Sequence, residues 1–305
     1  MESVVKHLGF TTSFSQLATD KMTIKRISRE EIDKSKWNSC VHYANNGNVC
    51  GYVWYLDALT KDWEALIEED YGSVFPLIWK KNWLGKKKLY QPELIIEGSL
   101  YSENILSATR IQHFFKAIPS EYKSLKLTIS NQAKIPNDLG LKVEKLSRQQ
   151  LILNQPYDGL KDGFSTTFHN QLAKAADLQL QPASNLKPEK VVDFYKAHSK
   201  NYKKENYFAY LRIMYNAMHR GWGFANGITN KKGDLLAVYF FIYSHGKIMV
   251  LLPAVSKAGK TTGAAELLLS MLLQTHANKP VYLDFNGFED IGVGSQEQIY
   301  YQISK

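Results

Sequence analysis

The sequence predicts a mixed α/β protein of two units, each a mostly antiparallel sheet flanked by helices, and three observations carry this. The 305 residues are long for one α/β unit and enough for two that each bury a core. Residues 63–96 and 224–255 follow the same plan, three apolar strands in hairpin order, with turns at Asp70-Tyr71-Gly72 and Lys231-Lys232-Gly233. Between 246 and 290 an apolar strand, a loop, a helix and a second strand follow in turn. The division is placed at 1–155 and 156–305.

Taken in order, residues 1–20 mix Ser, Thr and Gln with apolar positions, show no period and read as a loose arm. Residues 22–27 alternate as a strand, Ser28-Arg29-Glu30-Glu31 forms a capping box, and 32–42 suit a first helix that stops at Asn45-Asn46-Gly47. A helix over 53–59 precedes strands at 63–67, 73–79 and 88–96. A helix over 104–117 and strands at 124–129, 141–144 and 149–153 complete the first half. The second half opens with a helix at 166–176 and a strand at 178–181, followed by helices at 188–198 and 208–220. Strands at 223–229 and 235–243 follow, then a strand at 247–255, a loop at 256–263, a helix from 264 to about 274, and strands at 281–285 and 299–303.

Hydrophobic residues make up 44% and charged residues 22%, which suits a folded chain rather than a disordered one. A net charge of +9 implies attraction to polyanions such as nucleotide cofactors, tRNA or anionic membrane surfaces, although the lysines fall in short scattered runs that also suit hairpin tips. Two cysteines, Cys40 and Cys50, cannot build a disulfide framework. With neither a leader nor an apolar run of about 18 residues, the expected location is the cytoplasm. Cys40, His42 and Cys50 lack a fourth ligand, so no metal is expected. No Gly-x-Ser-x-Gly elbow or catalytic-triad spacing supports a hydrolase.

The chemical part is the loop. Lys260-x-x-Gly263-x-Ala265 places a cation and a bare backbone where a helix begins, and the unpaired N–H groups and dipole of a helix start attract anions. The order strand, basic-x-x-Gly-x-Ala, helix, strand resembles the acyl-CoA-binding core of the GNAT acetyltransferases, with Lys260 where that family usually has Arg or Gln. Over residues 37–287 the chain is similar to tandem GNAT proteins, including the Fem-type aminoacyltransferases. The segments carrying this are Trp54-Tyr55-Leu56-Asp57, Trp63-Glu64-Ala65-Leu66, Val74-Phe75-Pro76-Leu77, Leu89-Tyr90-Gln91-Pro92, Asn170-Gln171-Leu172-Ala173-Lys174-Ala175 and 281–287. The chain departs from the group after the last core strand, where the usual aromatic-rich helix, source of a general-acid Tyr in many GNAT enzymes, is replaced by 291–298 and a terminal strand.

The resemblance implies an N-acyltransferase that uses acetyl-CoA or another acyl-CoA as co-substrate and a small-molecule or peptide amine as acceptor. Lys260, Thr262, Gly263, Ala264 and Ala265 would hold the pyrophosphate, and the backbone of Leu252, Ala254 and Val255 the pantetheine arm, with only the second half keeping this loop. Strand alternation puts Tyr282, Asp284 and Asn286 on one face. Asp284 and Tyr282 are the catalytic candidates and Asn286 the substrate-binding one, while Tyr300 or Tyr301 could replace the missing acid. Two alternatives stay open: aminoacyl transfer from aminoacyl-tRNA, with tRNA the less favoured partner, and a binding protein of the same fold without catalysis.

Overall fold

The computed structural model describes residues 22–95, 97–98, 100–129, 132–136, 139–288 and 291–305. The expected arm at 1–20 lies outside them. The first half contains β1 (Ile24–Ser28), α1 (Lys34–Tyr43), α2 (Val53–Leu59), β2 (Trp63–Glu68), β3 (Ser73–Lys81), β4 (Lys87–Leu89), β5 (Tyr101–Ser102), α3 (Ala108–Ala117), β6 (Lys126–Ile129) and β7 (Lys142–Ile152). The second contains α4 (Tyr157–Lys161), α5 (Thr166–Asp177), β8 (Gln181–Ala183), α6 (Pro188–His198), α7 (Tyr207–His219), β9 (Gly223–Thr229), β10 (Leu235–Ser244) and β11 (Lys247–Val250). It closes with β12 (Ala254–Val255), α8 (Lys257–Thr262), α9 (Ala264–His276), β13 (Tyr282–Asp284) and β14 (Gln296–Ser304).

Two sheets result. The smaller runs β1-β2-β3-β4 with β5 against β3, all antiparallel. The larger runs β6-β14-β7-β13-β11-β10-β9-β8, and among its described pairs only β11 with β13 is parallel. The repeated plan is visible in order and direction, since β2-β3-β4 and β9-β10-β11 are both consecutive antiparallel strands. The hydrogen-bonded sheets cross residue 155: β6 and β7 join the larger one, pairing with β14 and β13.

The halves also share a core. Trp37, Tyr55 and Trp63 of the first half belong to one buried cluster with Tyr210, Met214 and Phe240 of the second, and Arg212 on α7 donates to the Ala58 carbonyl at 2.7 and 3.0 Å. Each large apolar side chain buried here contributes about 1.5–3 kcal/mol, so separating the halves would expose several such terms at once. A second cluster lies under α5 and α9, on the other face of the larger sheet.

Several elements differ from expectation for local reasons. The strand expected at 88–96 ends at Leu89, because Pro92 lacks an N–H and the Gln91 side chain takes the Ile95 carbonyl and the Thr128 N–H instead. The helix expected from 104 starts at Ala108, where Ser107 caps the Arg110 N–H. The strands at 141–144 and 149–153 are one, β7. The strand at 178–181 gives way to a left-handed Gln179, and β8 starts only at Gln181. The strand at 247–255 is interrupted between Val250 and Ala254, around Pro253. Most of the loop at 256–263 is helix α8, capped by Ser256 on the Gly259 N–H at 3.0 Å. Helix α4 escaped the sequence reading, being too short to show a period. No helix among the described residues is long and apolar enough to cross a membrane.

Candidate functional site

Alternation along the larger sheet brings one row of side chains to the face opposite α9. Gln150 lies directly across from Asp284, and Lys247 pairs with Tyr282 and with Ser244. Opposite residues share a face, so Tyr300, Arg148, Gln150, Asp284, Lys247 and Ser244 line one surface from β14 to β10. The first half roofs this surface. A pocket of about 30 Å³ is walled by Ser244, Lys247, Met249 and Asp284 from below and by Asn48, Val49, Cys50 and Glu97 from above. A neighbouring cavity of about 400 Å³ shares Glu97 and Lys247 and adds Asn46, His245, Tyr282 and Tyr300.

Asp284 is 4% exposed, and both of its oxygens accept: Oδ2 from Gln150 Nε2 at 2.8 Å, Oδ1 from the Asn286 N–H at 2.8 Å. Gln150, itself buried, also donates from the same nitrogen to Tyr300 Oη at 2.9 Å. Burial and then the nearby Asp284 charge push the Tyr300 hydroxyl well above the ordinary tyrosine range, so it stays protonated. On the roof, Asn48 Oδ1 accepts from the Cys50 N–H at 2.9 Å, which fixes its amide. Its Nδ2 is buried and without a partner among the described residues. Asn46 Nδ2 donates to the Leu100 carbonyl at 2.9 Å and leaves Oδ1 equally without a partner. Buried polar groups are nearly always paired, so these two atoms are the ones on the roof that could meet a ligand.

The sequence-predicted residues divide. Tyr282 and Asp284 do share the site face, with Tyr282 40% exposed at the mouth of the larger cavity. Asn286 does not continue the alternation. The strand ends at Asp284 and Asn286 is left-handed, contributing its backbone N–H as a brace for the carboxylate. Asp284 faces the first half, whereas α9 packs on the opposite face with Leu283 and Phe285. Tyr301 is off this face, packed in the cluster around Phe75 and Phe114.

The helix start itself is occupied by the protein. Gly263 is left-handed at φ 74, and a Cβ there would lie 2.0 Å from the Gln171 carbonyl oxygen on α5. The close approach that glycine permits is therefore made by α5 rather than by a ligand. Lys260 and Gly263 donate their N–H groups to the Ser256 and Gly259 carbonyls. Of the N–H groups expected to converge from Lys260 to Ala265, those of Lys260 and Gly263 are thus engaged within the chain. Thr262 Oγ1 turns back to the Ala258 carbonyl at 3.0 Å, Ala264 and Ala265 are buried, and Lys260 is exposed. Leu252 and Ala254 are buried in the shared core, and Val255 pairs with Ala237. At Gly263 this helix start is filled by the backbone of α5.

Sequence reasoning missed Gln150, Arg148, Lys247 and Asn48. Alternation could have placed Gln150 and Arg148 on one face of β7, but only the strand order shows that β7 lies beside β13. Among the described residues no group of three or more His, Cys, Asp or Glu is placed to hold a metal.

No family model and no curated protein sequence matches the chain. Solved structures do. FemX is similar with a TM-score of 0.63 at 11% identity, over 91% of this chain and 96% of its own. L-PGS from Bacillus licheniformis is similar with a TM-score of 0.54 at 11% identity, over 89% and 91%. A tandem GNAT protein from the clavulanic acid biosynthesis pathway is similar with a TM-score of 0.51 at 10% identity, over 92% and 98%. At such identities the likeness concerns architecture alone. The chain has the tandem GNAT fold that these proteins share.

Proposed function

We propose that this protein transfers an acyl group from an activated ester to an amine, and that the chemistry takes place under the roof formed by Asn48 and Glu97. The observation that carries this is the buried Asp284 carboxylate sharing a small pocket with an unpartnered amide donor, Asn48 Nδ2, and with Lys247. Acyl transfer needs an anion for the ammonium and donors for the oxygen that becomes negative, and both line this pocket. Asp284 holds the acceptor ammonium and takes its first proton. The nitrogen then attacks the acyl carbon, the carbonyl oxygen gains charge facing Asn48 Nδ2 and Lys247, and the ester C–O bond breaks as the C–N bond forms. The second nitrogen proton goes to the departing ester oxygen.

Of the two donor classes open from the sequence, the aminoacyl ester of a tRNA is favoured over acyl-CoA. The start of α9, where CoA would be anchored, is closed by α5, while a groove of about 900 Å³ at the junction of the halves is lined by Lys80, Lys88, Lys126 and Arg148 against Glu93 and Glu205. The test is parallel titration with an aminoacyl-tRNA and with CoA at two salt concentrations. The reading expects tRNA binding that weakens steeply with salt and no saturable CoA binding. Saturable CoA binding abolished by Lys260→Ala would instead return the cofactor to the helix start.

A further inference from the structure

Among the described residues, Arg148 is a cation without a counter-ion. It stands on β7 two residues before Gln150, on the same face, with its guanidinium 4.8 Å from the Tyr300 ring centroid. Its Nη1 is shielded from solvent and has no hydrogen-bond partner, and no carboxylate among the described residues forms an ion pair with it. A partly desolvated guanidinium left unpaired costs free energy that an incoming anion would recover. Arg148 also lines the 900 Å³ groove, and Tyr300 and Gln150 connect it to Asp284 through contacts already described.

Resting on the acceptor reading above, we propose that the acceptor is a zwitterion, its ammonium on Asp284 and an anionic group, carboxylate or phosphate, on Arg148. The spacing narrows the class. Arg148 and Asp284 stand two residues along and one strand across, about 8 Å apart between Cα atoms. A molecule with its amine at the end of a short chain matches that backbone separation better than an α-amino acid, whose two charges lie closer together. A planar guanidinium fork suits either anion by paired hydrogen bonds.

Calorimetric titration of the full chain tests this with 6-aminohexanoate, 5-aminopentyl phosphate and n-hexylamine, an amine of similar length without the anion. The expected result is at least tenfold tighter binding of one anionic probe than of n-hexylamine, and the preferred probe identifies carboxylate or phosphate as the source. Arg148→Gln should bring the affinity for that probe down to the level of n-hexylamine. Arg148→Lys, which keeps the charge and serves as the readout if Arg148→Gln does not fold, should lose part of the preference. Equal binding of all three probes by the wild type overturns the proposal. So does an unchanged preference in both variants. The acceptor reading is separated from this by Asp284→Asn. If n-hexylamine binds that variant as tightly as the wild type, Asp284 does not hold the amine. If n-hexylamine needs Asp284 while the anionic probes gain nothing, only the role of Arg148 falls.

Discussion

Asp284 carries its function in its surroundings more than in its identity. A carboxylate whose two oxygens each accept a hydrogen bond from a fixed donor is held in one orientation beneath the roof. Asp284→Asn keeps the shape but turns one acceptor into a donor facing Gln150 Nε2 or the Asn286 N–H. We expect a stability loss of about 1–3 kcal/mol, measured by urea denaturation, besides the loss of function. Gly263 shows the opposite relation between residue and role. Its sequence setting suggests a phosphate, yet the Gln171 carbonyl fills the space a side chain would need. Gly263→Val should therefore destabilise the fold by roughly 3 kcal/mol, through left-handed strain and the clash together, whatever ligand is present. A variant that melts like the wild type would contradict the packing of α5 on α9.

At the scale of the element, the hairpin between β10 and β11 turns on His245 and Gly246, both with positive φ, the two-residue turn that suits a twisted antiparallel pair. The turn carries His245 to the first half, where Nε2 lies 3.5 Å from Tyr52 Oη and Tyr52 Oη lies 3.1 Å from His42 Nδ1. Burial first, then the charges of His42 and Lys247, hold the His245 pKa below its ordinary 6.5. The folded protein thus keeps the ring neutral where the unfolded chain would take up a proton. Stability from this group is complete above about pH 6.5 and declines as pH falls toward the depressed folded value, and His276, lowered chiefly by burial, acts with the same sign. Melting temperature should fall between about pH 7.5 and pH 5.5, and by less in His245→Asn, which also tolerates positive φ. An equal fall in both proteins would remove His245 from the account. Helices 188–198 and 53–59 were legible because their signals, Pro188 in the first turn of one and apolar spacing in both, are local. Helix α8 was not, since Gly and Thr in a six-residue stretch weigh against helix until packing on β10 is known.

For the whole molecule, the sequence shows the two-unit plan through its repeated hairpins, but not that the larger sheet reaches across residue 155 to collect β6 and β7. That long-range pairing brings Arg148 and Gln150 to Asp284, and pairing between distant strands leaves no local pattern to read. Half of the site, Asp284 and Tyr282, could be named from alternation. The roof at Asn46 and Asn48 could not, because those residues look like an ordinary helix stop. For the molecule as a whole we propose that acyl transfer runs through Asp284 with an aminoacyl ester as donor. The direct measurement is the release of a labelled amino acid from aminoacyl-tRNA into an amide product, in the presence of 6-aminohexanoate, by the wild type and by Asp284→Asn at matched folded concentration. We expect amide formation by the wild type and a rate lower by about 10²–10⁴-fold in the variant. Equal rates in the two proteins, or no amide above the protein-free background, would contradict it.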